Sequence, residues 1–231
     1  MSIRDNLLMV KEKIASTALE CKRDESEISI IAVTKTISVE KVDEAYSCGM
    51  KIAGENRVFE AKDKIALVKN PVEWHLIGHL QKNKTKNAVE LFSLIHSLDD
   101  LDLAAKIDSK CREVGKVQET LLQVNYAKEN TKSGIDPSQT LDFLREITRY
   151  ENLVVKGIMT IAPIAEDPEE IRWVFKDARK QFDECKKMKL SNVELKHLSM
   201  GMSSDYLVAV EEGATMLRLG RVLFGERSYV G

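Results

Sequence analysis

Long apolar runs are missing from this chain. None approaches the roughly 18 residues needed to span a bilayer, so no membrane role is expected. An excess of either charge is missing too. Its 35 basic and 37 acidic side chains leave a formal net charge of −2, which gives no bulk attraction to nucleic acid or to an anionic membrane. Cysteine is sparse: Cys21, Cys48, Cys111 and Cys185 lie far apart and form no C-x-x-C pair. They read as reduced thiols of a cytoplasmic protein, in or beside packed helices. His75 and His79 stand four apart, but in a strand-and-turn segment with no third ligand, so zinc is not expected. There is no Pro/Gly/Ser-rich linker, no internal repeat and no low-complexity segment, and residues 1–231 read as a single domain. The first residues are broken by Arg4, Asp5, Lys11, Glu12 and Lys13, which excludes a signal peptide.

What is present is alternation. Ile3, Leu7, Val10, Ile14 and Ala18 recur at helical spacing and predict an N-terminal helix. After it, short strand-type runs appear at 28–34, 51–53, 73–77, 91–95, 117–124, 153–158, 193–197 and 215–218. Helical patterns fill 38–48, 56–68, 80–88, 99–114, 137–149, 168–188 and 203–212. Pro137 and the Asp167-Pro168-Glu169-Glu170 run suit helix starts, and Gly49 and Gly115 suit helix ends. Eight strands separated by helices predict an α/β fold, a (β/α)8 TIM barrel with an extra N-terminal helix. The alternative, an open doubly wound sheet, lacks its G-x-G-x-x-G signal after the first strand. Trp173, Phe175 and Phe182 are expected to pack the seventh helix on the barrel. The irregular stretch 125–136 is a candidate lid.

A TIM barrel carries its chemistry at the C-terminal ends of its strands. Lys35 closes strand one there, G-E-N-R (54–57) follows strand two, and His96-Ser97 close strand four. Strand seven leads into L-S-M-G-M-S-S-D (198–205) and strand eight into R-L-G-R (218–221). The small, hydroxyl-rich loop opening a helix near Ser203, with Gly220 beside it, suits a phosphate. A lysine facing a phosphate site in a barrel suggests a Schiff base to a phosphorylated aldehyde, either pyridoxal phosphate or a sugar-phosphate substrate of an aldolase. The competing reading is that Lys35 pairs with Glu55 in the barrel mouth. The basic run 81–87 has no aromatic neighbours to stack bases and reads as a solvated face, with no nucleic acid expected.

Beyond spacing, the chain resembles the YggS/PROSC-type pyridoxal phosphate homeostasis proteins. The likeness is carried by A-V-T-K-T (32–36), G-E-N-R (54–57), H-L-I-G-H-L-Q-K-N-K (75–84), K-S-G (132–134), G-I-M-T-I-A-P (157–163), L-S-M-G-M-S-S-D (198–205), L-R-L-G (217–220) and Phe224-Gly225. The resemblance implies a single-domain barrel like the N-terminal domain of bacterial alanine racemases. It implies pyridoxal 5'-phosphate as an internal aldimine on Lys35, with Ser203, Gly220, Arg221 and Ser199 at the phosphate. It also implies Arg218 at the pyridine nitrogen and Asn56 near the ring. His79 and Arg57 depart from common family patterns and bear only on the pocket rim. Lys132 is a family-like lysine in the long loop.

An arginine at the ring nitrogen donates a hydrogen bond to an unprotonated nitrogen and so weakens the electron sink that amino-acid chemistry needs. Alanine racemases with this arrangement add a second base from another domain, for which a chain ending at Gly231 leaves no room. The expectation is therefore a monomeric carrier or buffer, with pyridoxal-phosphate-dependent apoenzymes as partners, and no robust enzyme. The alternative is an amino-acid racemase using Tyr126 or Lys132 as second base.

Overall fold

A computed structural model describes residues 1–129 and 132–225. Eight parallel strands close into a barrel in chain order. They are β1 (Ser29–Val33), β2 (Ile52–Glu55), β3 (Glu73–Leu76), β4 (Leu94–Leu98), β5 (Gln118–Gln123), β6 (Leu153–Met159), β7 (Val193–Ser199) and β8 (Met216–Leu219). Helix α1 (Ile3–Glu20) precedes them, and α2 (Val39–Ser47), α3 (Val58–Leu67), α4 (Thr85–Leu91), α5 (Leu101–Val114), α6 (Thr140–Ile147), α7 (Arg172–Lys186), α8 (Tyr206–Glu211) and α9 (Arg221–Phe224) follow the successive strands. The ring shuts where β1 pairs with β8, Ser29 opposite Met216 and Ala32 opposite Leu219. The eight-stranded barrel and its extra helix are thus as the alternation predicts.

The extra helix has a structural reason. The helix after β8 has only four residues, too few to cover the seam between β8 and β1. Helix α1 lies over α8 and α9. It starts on a capping box between Ser2 and Asp5, which satisfies otherwise orphaned amides. Its stripe Ile3, Leu7, Val10, Ile14 and Ala18 is buried, and Asn6 Nδ2 donates to the Leu223 carbonyl at 2.9 Å.

Two apolar layers form. The larger lies between strands and helices, and a smaller one fills the lumen with Ile31, Val33, Ile77, Leu94, Leu121, Met159 and Met216. Strand alternation sorts the residues between them. In β6 the sorting is interrupted: Val155 and Ile158 both face the helices, and Met159 faces the lumen. The register with β5 slips between Thr120 and Leu121, and with β7 between Val155 and Gly157. Lys156 is the extra residue of this bulge, and its Nζ reaches Glu194 at 2.7 Å and Glu119 at 3.2 Å.

Several boundaries differ from the sequence reading. The apolar run 91–95 straddles the end of α4 and the start of β4, because Phe92 caps the helix and packs outside the barrel. His96 and Ser97 therefore lie within β4, not beyond it. Strand β7 runs on to Ser199, which takes that residue out of the following loop. Residues 203–205 form a turn and α8 starts at Tyr206, so no helix opens at Ser203. Pro168 opens a 3-10 turn ahead of α7. Trp173 is half-exposed while Phe175 and Phe182 are buried, because the inward stripe of α7 runs through 174, 175, 178, 182 and 185. Of the candidate lid, residues 130 and 131 lie outside the described residues.

Candidate functional site

At the C-terminal ends of the strands lies a cavity of about 520 Å³. Lys35, Asn56, Ser203, Arg218, Gly220 and Arg221, six of the seven residues singled out from the sequence, line it together. Val33, Ile77, Ile161, Ile164 and Met202 supply apolar walls, and Ser204 completes the rim. Three cationic side chains face this space, and no carboxylate is among the described residues that line it. Such a set favours a ligand with a dianionic group and a flat apolar body.

The amine is aimed by local backbone. The amide of Thr34 donates to the Gly54 carbonyl at 3.0 Å, continuing the strand pairing, and then Thr36 turns the chain with φ of +64°. A β-branched residue in the left-handed region is strained, and the strain sits directly after the lysine that enters the cavity. Below it, Lys64 Nζ bridges the Thr34 carbonyl and Glu55 Oε1, both at 2.6 Å, and Thr34 Oγ1 donates to the same Glu55 oxygen at 2.7 Å. Glu55, the residue considered as an ionic partner for Lys35, is thus engaged by Lys64 and lies outside the cavity lining. The bridge ties the ends of β1 and β2 immediately before Lys35 and Asn56. Gly78 supports Asn56 from the other side, since a Cβ there would sit 2.3 Å from the Asn56 carbonyl oxygen.

Opposite the amine, the turn after β7 meets the turn after β8. Ser203 Oγ accepts from the amides of Gly220 and Val222, each at 3.3 Å. Those contacts are long, and the amides with the Ser203 and Ser204 hydroxyls form a neutral donor cradle with Arg221 on its rim. Ser199 belongs elsewhere. It is fully buried at the lumen end of β7, where its hydroxyl takes a 2.6 Å hydrogen bond from Arg218 Nη1. Ser199, expected at a phosphate, is thus the one of the seven that does not line the cavity, and its hydroxyl supports Arg218. A second hydrogen bond, from Nη2 to the Thr160 carbonyl at 2.7 Å, fixes the guanidinium plane. Burial pushes the Arg218 guanidinium down to about 10, with the nearby Asp205 carboxylate opposing, so it remains charged at neutral pH.

Neither candidate second base lines the cavity. Tyr126 is buried and its hydroxyl donates to Gln181 Oε1 at 2.6 Å, and burial pushes its ionisation far up. Lys132 Nζ is held by the Ala162 carbonyl at 3.1 Å and by Glu129 at 3.0 Å. Sequence reasoning missed Lys64 and the meeting of the buried His75 with His96. His96 Nδ1 lies 3.1 Å from Ser199 Oγ, and its Nε2 lies 3.1 Å from His75 Nδ1.

Burial above all, with the Arg218 charge adding to it, holds His96 well below the ordinary imidazole range, and burial lowers His197 as well. The unfolded chain therefore takes up protons below about pH 6.5 that the folded one refuses, and stability falls as pH drops through that window. Each such imidazole steepens the loss by up to about 1.4 kcal/mol per pH unit. Urea midpoints measured from about pH 7 to about pH 5 should decline, and less steeply in His96→Gln. Midpoints that stay level would mean these rings are not kept neutral.

The model of the alanine racemase N-terminal domain family matches residues 3–228. A pyridoxal phosphate homeostasis protein of Aquifex aeolicus is 40% identical over 230 residues, covering 99% of this chain and 100% of that one. PipY of Synechococcus elongatus, solved with PLP bound, superposes with a TM-score of 0.81 at 37% identity, covering 94% of this chain and 100% of that one. An alanine racemase of Clostridium difficile shares the fold alone, with a TM-score of 0.72 at 14% identity over 99% of this chain and 57% of that one.

Proposed function

We propose, from the premise that this chain belongs to the alanine racemase N-terminal domain family and to its pyridoxal phosphate homeostasis proteins, that it holds pyridoxal 5'-phosphate reversibly on Lys35 and serves as a store or carrier of it. The observation that carries this reading is the lining of one cavity. An amine, a buried guanidinium and a cradle of hydroxyls and main-chain amides converge there, with no carboxylate among the described lining residues. When bound, the cofactor would supply a reactive aldehyde and a conjugated pyridine ring. Lys35, once its ammonium has released a proton, is the nucleophile that condenses with an aldehyde and expels water. Ser203 would turn its hydroxyl to the phosphate and free the amides of Gly220 and Val222 to do the same. Arg221 would add charge at the rim. Arg218, a donor only, would present an N–H to an unprotonated ring nitrogen. Ile77, Ile161 and Met202 would cover the ring faces.

Racemisation needs proton-transfer groups on both faces of the substrate. Among the described residues, the ionisable groups lining the cavity are one amine and two guanidiniums, a set that suits binding and release. The purified chain mixed with pyridoxal 5'-phosphate should develop a visible band at about 420 nm, and borohydride should fix the label on the peptide containing Lys35. Incubation with an apoenzyme that uses the cofactor should drain the band and restore the enzyme's activity. Steady turnover of L-alanine by the loaded chain would instead favour an enzyme.

A further inference from the structure

A line of polar side chains crosses the barrel beneath the cavity. Arg218 on β8 donates to Ser199 on β7 at 2.6 Å, and Ser199 faces His96 Nδ1 on β4 across the lumen at 3.1 Å. His96 Nε2 meets His75 Nδ1 on β3 at 3.1 Å, and His75 Nε2 meets Glu73 Oε1 at 3.0 Å. Glu73 is the first residue of β3, at the opposite end of the barrel from the cavity, and its side chain is 53% exposed. Ser199, His96 and His75 are buried to within 1% of completely. The line therefore runs from the cavity floor to solvent at the barrel base.

Its two ends dictate its direction. A guanidinium can only donate, so the Ser199 oxygen accepts from it, and among the described residues the other side-chain partner of that hydroxyl is His96 Nδ1. A carboxylate can only accept, so His75 Nε2 carries a proton toward Glu73. With both rings neutral, one arrangement satisfies every group: Arg218 to Ser199, Ser199 to His96, His96 to His75, His75 to Glu73. Were His75 doubly protonated, its Nδ1–H would force His96 to donate toward Ser199, and the Ser199 proton would lose its acceptor. The facing groups on other strands act on this line electrostatically. His197, on β7, is lowered by burial and lies within electrostatic reach of Glu73, His75, Glu119 and Lys156, and Asp205 acts electrostatically on Arg218.

We infer that His96 and His75 are positioning residues, which with Ser199 and Glu73 form a one-directional hydrogen-bonded chain that holds Arg218 in its ligand-facing orientation and links it to a carboxylate at the far end of the barrel. The link polarises each member in the same sense, which strengthens the Arg218 anchor beyond a lone serine contact. The inference rests on the reading that Arg218 meets a ring nitrogen, but its hydrogen-bond pattern can be measured without any ligand.

Imidazole nitrogen NMR of the ligand-free chain at neutral pH should show both rings protonated on Nε2 only. Titration with pyridoxal 5'-phosphate should then give a dissociation constant raised about tenfold in His96→Phe, which strands Ser199 and Arg218. His96→Gln can accept from Ser199 and donate to His75, and should recover binding to within about threefold of the native chain. Glu73→Ala, at an exposed position, should weaken binding about threefold with an unchanged melting temperature. An Nδ1–H tautomer or an imidazolium at either ring overturns the inference, and so does native affinity in His96→Phe or Glu73→Ala. If His96→Phe does not fold, the tautomers and Glu73→Ala decide. A native chain that never binds the cofactor sinks the pyridoxal phosphate reading, while the NMR result still decides whether the chain of hydrogen bonds exists.

Discussion

Lys35→Ala should leave the fold unchanged and remove the covalent attachment of pyridoxal 5'-phosphate. The side chain is half-buried at the mouth of the cavity, where truncation opens space to solvent and not into the core. The strand end that carries it is held independently, by Lys64 on the Thr34 carbonyl and Glu55. The phosphate cradle and Arg218 also remain. What disappears is the amine that condenses with the aldehyde. The visible band at about 420 nm should vanish at stoichiometric cofactor, and borohydride should no longer label the peptide spanning position 35. The dissociation constant should rise by about 100-fold, equivalent to about 2.7 kcal/mol. A ligand with an alcohol in place of the aldehyde separates the two contributions. Pyridoxine 5'-phosphate should bind the native chain and Lys35→Ala equally well, since it uses only the cradle, the ring walls and Arg218. Lys35→Arg should behave as Lys35→Ala for the aldehyde, because a guanidinium keeps the charge but is not a nucleophile near neutrality. If Lys35→Ala holds the aldehyde as tightly as the native chain does, the covalent site is elsewhere.

Much of this site is legible in the sequence because strand ends advertise themselves. Lys35 interrupts an apolar run, and the small residues of 198–205 and 217–221 stand between periodic segments. Once eight strands are counted, barrel geometry alone brings those three places together. What stays hidden depends on register. His75 and His96 are 21 residues apart, in segments that no shared motif links. Their meeting requires His75 and His96 to face the lumen, and Ser199 to belong to β7 and not to its loop. A fourth strand drawn at 91–95, three residues early, conceals that meeting, because a strand displaced by an odd number exchanges its two faces. Lys64 is hidden for a different reason. It sits on the helix after β2, and only its long stem lets the ammonium reach back beneath β1. The second bases named for a racemase raise the same kind of detail, since Tyr126 and Lys132 follow a strand end yet bond elsewhere and do not line the cavity.

Gly157→Ala should be among the most damaging single-methyl changes in the molecule. The glycine lies just after the Lys156 bulge, where β6 and β7 approach so closely that a Cβ would stand 1.8 Å from the His197 carbonyl oxygen and 2.7 Å from its carbon. Both contacts are backbone atoms in a closed barrel, so no flexible side chain can move aside. Accommodation requires parting two paired strands, and the cost should be about 3 to 5 kcal/mol, at the upper end for a small substitution. The strands concerned also carry the site. Thr160, just beyond β6, offers the carbonyl that receives Arg218 Nη2, and Ser199 at the end of β7 receives Nη1. Separating them loosens both anchors, so any Gly157→Ala that folds should bind the cofactor weakly as well. Gly115→Ala is the matched control. Gly115 ends α5 with φ of +65°, and among the described residues no atom comes within 4 Å of the place a methyl would take, so only left-handed strain opposes the change, about 1 kcal/mol. Denaturant midpoints of the two variants compared with the native chain make the measurement. Equal losses would mean that backbone conformation, and not the approach of β6 to β7, is what requires glycine at position 157.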